Sequence, residues 1–97
     1  MVRPSERKSM KRTESDWYEV MNLDGNGYLD MRYYTNDNSL EGARYAIDTA
    51  NQRAVKLGYR AEQFLIVHTE FYKYTDDGRF VKSERLTQAI EVYPAEL

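Results

Sequence analysis

NSLEGARYAIDTANQRAVKLGY, residues 38–59, organises the chain on either side of it. Leu40, Ala43, Ile47, Ala50, Ala54 and Leu57 recur at spacings of three and four, which places them on one stripe of an α-helix. Three of these six are alanine, so the helix can approach a sheet closely. The spacing predicts a helix over residues 39–57. Asn38, with Glu41 three residues on, has the form of a capping box. Lys56 suits the negative end of the helix dipole. Gly58 followed by Tyr59 reads as a left-handed cap and its apolar follower. Gly42, in the first turn, marks a place where a neighbour comes close.

Outward from the helix, glycine-rich turns divide each flank into two strands. Downstream, Asp76-Asp77-Gly78 joins residues 64–75 to residues 80–93. Upstream, Asp24-Gly25-Asn26-Gly27 joins residues 16–23 to residues 28–35. The order is hairpin, helix, hairpin. The expected fold is α+β: a ββαββ chain whose two hairpins make a four-stranded antiparallel sheet, with the helix packed on one face.

Turn positions suggest registers. In the first hairpin Leu23 stands opposite Tyr28 and Val20 opposite Met31. On the other face Glu19 meets Arg32 and Trp17 meets Tyr34. A slip by two residues would keep every side chain on its face. In the second hairpin Glu70 stands opposite Arg85 and Leu65 opposite Ile90. Those strands exceed the usual five or six residues, so a bulge is expected. This register gathers Leu65, Val67, Phe71, Leu86, Ile90 and Val92 on the face under the helix.

One domain is expected at 97 residues, preceded by an arm. Residues 1–15 are polar and read as a disordered basic arm, with residues 16–97 as the single ββαββ domain. Arg3, Arg7, Lys8, Lys11 and Arg12 outweigh Glu6, Glu14 and Asp16, so residues 1–16 carry +2 and the remainder −4. An acidic body disfavours phosphate binding, whose affinity rests on basic charge. No run approaches the roughly 18 apolar residues of a membrane helix, so no membrane partner is expected. The N-terminus lacks the apolar core of a secretory signal, and the expected compartment is the cytoplasm. The absence of cysteine excludes disulfides, thiolate catalysis and zinc–thiolate sites.

One helix covers one face of a sheet, so the other face carries the functional expectation. It would offer Trp17, Met21, Leu23, Tyr28 and Tyr34 from the first hairpin. From the second it would offer Phe64, Ile66, Tyr72 and Tyr74. An apolar surface of that kind marks a protein interface. The expectation is therefore a non-enzymatic module that binds a protein partner or forms a homo-oligomer. By analogy alone, such small acidic proteins serve as accessory or inhibitory factors of phages and mobile elements. Two alternatives use the same face. Bases could stack on Trp17, Tyr34, Tyr72 and Tyr74 while the arm holds phosphates. Or His68, Glu70, Tyr72, Ser83, Arg85 and Thr87 could recognise a small polar, nucleotide-like ligand at a subunit interface.

Catalytic motifs are lacking. His68 is the only histidine and has Glu70 beside it, but no nucleophile motif accompanies the pair. Asp76-Asp77 is turn chemistry, and there is no phosphate loop or dinucleotide fingerprint. No metal or cofactor is expected. Residues 22–33, NLDGNGYLDMRY, resemble the calcium loop of the EF-hand family at Asp24, Asn26, Gly27, Leu29 and Asp30. Asn22 replaces the first aspartate and Tyr33 the bidentate glutamate, and the flanks alternate with period two. The segment is read as a hairpin turn.

Overall fold

The computed structural model of the chain describes residues 10–97. Its elements are β1 (Met10–Asn22), β2 (Tyr28–Leu29), a 3₁₀ turn (Met31–Tyr33), α1 (Leu40–Lys56), β3 (Phe64–Asp76) and β4 (Arg79–Tyr93). All strand pairs are antiparallel, and the sheet order is β2-β1-β3-β4. The ββαββ order expected from the turns is the order found.

Both ends of α1 follow from local chemistry. Gly58 takes φ +90°, the N–H of Tyr59 reaches the Ala54 carbonyl at 2.9 Å and the N–H of Gly58 reaches Val55 at 3.0 Å. This is the left-handed cap the sequence implied. At the other end the cap is Ser39, not Asn38. The Ser39 hydroxyl accepts the Gly42 N–H at 3.2 Å, while the Asn38 carbonyl accepts the Tyr18 N–H at 3.0 Å and ties the loop to β1. Ala43, Ala46 and Ile47 are buried, whereas Leu57 at the end of the stripe is exposed.

The helix lies on the face of the sheet opposite to the one expected. Its neighbours are Val20, Phe64 and Ile66, with Met31, Tyr18, Leu29 and Tyr93 around them. Ile47, Ile66 and Val20 are fully buried, and each contributes about 1.5–3 kcal/mol by leaving water. Phe64 and Ile66 are thus core residues rather than interface residues.

The reason is parity. β4 contains two register shifts, one opposite Tyr74/Thr75 and one opposite Ile66/Val67. Each inserts one extra residue, Val81 and Ile90, into β4. Between them every residue is displaced by one, so Arg85 stands opposite Phe71 and Leu86 opposite Glu70. A one-residue slip exchanges the faces of a strand. Leu86 therefore does not belong with Leu65 and Val67, and the Leu65 face loses the apolar surplus that had marked it as the helix face.

The first hairpin also differs in extent. β2 pairs only Val20 with Leu29 and Met21 with Tyr28. Relative to the expected register this is a slip of two, which preserves faces. The expected Glu19–Arg32 and Trp17–Tyr34 pairs do not form. Asp30 stops the strand, because its carboxylate accepts the Arg32 N–H at 3.1 Å and caps the 3₁₀ turn. β1, in contrast, starts at Met10, so residues 10–15 are strand rather than arm. The rest of the expected arm lies outside the described residues.

β1, β3 and β4 run well past the helix. The molecule measures 63 × 22 × 21 Å. A helix of 17 residues is about 25 Å long at 1.5 Å per residue. Beyond it, residues 10–16, 70–76 and 79–86 form a three-stranded ribbon that no helix among the described residues covers on either face.

Candidate interaction surface

The helix-side face, the helix-free face and the outer edge of β4 meet water along the sheet, and a hollow lies beside the first hairpin.

On the helix-side face, pairing brings Asp16, His68 and Glu70 together, with Glu14 and Tyr72 next along the ladder. His68 Nε2 lies 2.9 Å from an Asp16 carboxylate oxygen, and the Tyr18 ring stacks on the imidazole at 4.7 Å between centroids. The Tyr72 hydroxyl donates to Glu70, and that bond holds its proton above the ordinary phenol range, aided by burial. The Arg12 guanidinium sits 5.0 Å above the Tyr72 ring and forms an ion pair with Glu14. Lys82 lies 4.7 Å above Tyr74 and pairs with Glu84 at 3.2 Å. Arg12 and Lys82 are thus each paired with a carboxylate, whereas Glu70 is held by a phenol. A shallow hollow of about 380 Å³ is lined by Glu14, Asp16, His68, Glu70 and Tyr72.

Trp17 and Phe71 lie on the helix-free face with ring centroids 6.4 Å apart. Arg85 caps Trp17 at 5.6 Å, and the indole N–H donates to Glu19 at 2.6 Å. Between these long side chains Val67 and Thr69 are almost fully buried, although no helix among the described residues covers them. This face is therefore narrower and better closed than a bare aromatic platform.

The ligand cluster expected from the sequence is divided by the sheet. His68 and Glu70 stand on the helix side, whereas Ser83 and Arg85, paired with Lys73 and Phe71, stand on the other. The displaced register between the two bulges separates them. The base-stacking platform is divided in the same way, because Tyr72 and Tyr74 share the helix side and Trp17 does not. Each of those three rings also carries a cation over one face.

The other expected residues scatter. Tyr34 is half-buried, leaning on the core and edge-on to Tyr33. Tyr28 is exposed on β2 and borders a hollow of about 450 Å³ with Trp17, Leu29 and Arg32. The calcium-like segment is a turn: Asp24 accepts the Asn26 N–H at 2.9 Å, and Asp30 is occupied by Arg32. Hydrogen bonds from Arg32 hold the Asp30 carboxyl below its ordinary range. Among the described residues no group of three or more acidic, histidine or cysteine side chains is placed to hold a metal. Nor is any helix among them long and apolar enough to cross a membrane.

What the sequence reading missed is β4. Every residue from Arg79 to Ile90 is exposed. Phe80, Val81, Leu86, Ile90 and Val92 are 38–63% accessible, although the expected register puts Leu86, Ile90 and Val92 under the helix. Its outer edge pairs with no strand among the described residues. The length of the run from residue 80 to residue 93 was the available signal, since a strand that long outreaches any single helix. Comparison with models of protein families, with curated proteins and with solved structures finds no match to this chain.

Proposed function

We propose that this chain is a non-enzymatic protein-binding module, acting in the cytoplasm, that associates with another protein chain through the outer edge of β4. The observation that carries this reading is the edge itself. Fifteen residues of strand offer unpaired backbone groups next to exposed Phe80, Val81, Leu86, Ile90 and Val92. An open edge of that length is a template for another strand. A helix docked on a ribbon face is less favoured, because Arg12, Lys82 and Arg85 already stand over the Tyr72, Tyr74 and Trp17 rings.

The experiment compares the wild type with the Phe80→Ser/Leu86→Ser variant. Both side chains are exposed, so melting should be nearly unchanged. The expected result is that complexes of the wild type, whether with itself in sedimentation or with a defined partner in its host cells, are lost in the variant. Equal complex formation by the two proteins would refute the β4 edge as the binding surface. Imaging of a tagged chain checks the compartment.

A further inference from the structure

Resting on that reading, we infer that the occupant of the β4 edge is a second copy of this chain, paired antiparallel about a two-fold axis with Leu86 opposite Leu86.

The register follows from β4 alone. Bulges at Val81 and Ile90 bound residues 82–89, the stretch of β4 that is both regular and exposed throughout. A bulge interrupts a ladder, so a partner strand gains regular pairing only between these limits. A two-fold axis through a continuous sheet sets residues of like face opposite each other, so the axis must pass through a residue rather than between two. Two residues, Arg85 and Leu86, lie at the middle of the stretch. An axis at Arg85 would oppose two guanidinium groups at the centre, which is unfavourable.

An axis at Leu86 opposes two apolar side chains. It then sets Arg85 against Thr87 and Glu84 against Gln88, a donor and an acceptor in each case. Ser83 meets Ala89. No like charges face each other anywhere along this register. The pairing consumes the β4 edge of each copy and closes as a dimer, leaving the outer edge of β1, which β2 covers only at Val20 and Met21, outside the contact. Within the ribbon Glu70 stands beside Leu86 on β3, where its carboxylate accepts the Tyr72 hydroxyl.

The absence of cysteine gives a clean test. Leu86→Cys should cross-link to its own copy under mild oxidation, because directly opposed Cβ atoms lie about 4.5–5.5 Å apart and a disulfide needs only slightly less. Ser83→Cys should not, because in this register it lies six strand positions, about 20 Å, from its own copy. In a second measurement, Leu86→Lys and Leu86→Glu should each weaken self-association by about tenfold, and mixing the two should restore it as a heterodimer. Selective cross-linking at position 86 with recovery on mixing supports the proposal. A wild type that remains monomeric at all concentrations overturns the second copy as occupant, while binding of another protein at this edge would survive. A dimer in which position 83 cross-links as fast as position 86 overturns the register alone.

Discussion

Gly42 owes its place to Asp37. A Cβ built on residue 42 would lie 1.8 Å from the Asp37 carbonyl oxygen, which is backbone and has little room to retreat. The same aspartate accepts the Ser39 N–H at 3.0 Å, so the turn before the helix is pinned from both sides. The Ser39 side chain, and after it that N–H, hold the Asp37 carboxyl below its ordinary range. Gly42→Ala is expected to cost about 1–3 kcal/mol, the usual penalty for overpacking, despite the better helix propensity of alanine. Urea denaturation measures this, and an unchanged or raised midpoint would show that the loop can move aside. The sequence hinted at close approach at this glycine but not at which neighbour approaches. It also pointed to Asn38 as the cap, because nothing local foretells that the Asn38 carbonyl is drawn to Tyr18.

At the scale of elements, what could be read depended on contrast. Gly58 and the Asp77-Gly78 turn announce themselves through conformation, and α1 through its period. β3 carries no such contrast, since Phe64-Leu65-Ile66-Val67 is apolar on both faces. The side under the helix had to be inferred from β4, and the two bulges reversed that inference. Neither Val81 nor Ile90 looks unusual in a strand, so nothing in the composition marks an insertion. The start of β1 is hidden for a related reason: Lys11 to Glu14 is polar, and its place in the sheet comes from pairing with β3 rather than from burial. The corrected faces make a direct prediction. Ile66→Ala should cost about 2–5 kcal/mol, as for a filled core site, whereas Leu86→Ala should change stability by less than about 1 kcal/mol. Chemical denaturation of the two variants checks both figures, and the reverse order would return the helix to the Leu65 face.

The whole molecule is a compact end joined to a ladder. Arg44 grips Glu91 with two hydrogen bonds, at 2.6 and 3.2 Å, and the Tyr93 hydroxyl binds Asp48 at 3.0 Å, so the near end of β4 is fastened to α1. Further along, among the described residues, the strands hold only one another. Amide exchange should therefore be slowest at residues 64–69 and fastest near the Asp77-Gly78 turn, with the ribbon opening before the body unfolds. Exchange followed by mass spectrometry would test this, and uniform protection along β3 would mean that something else braces the ribbon. Shape has a hydrodynamic consequence as well. A particle of 63 Å by about 22 Å meets more friction than a sphere of its mass. A lone chain will leave a sizing column early, at the volume of a heavier globule. Stokes radius alone would count one rod as two spheres, so its stoichiometry must be weighed rather than timed.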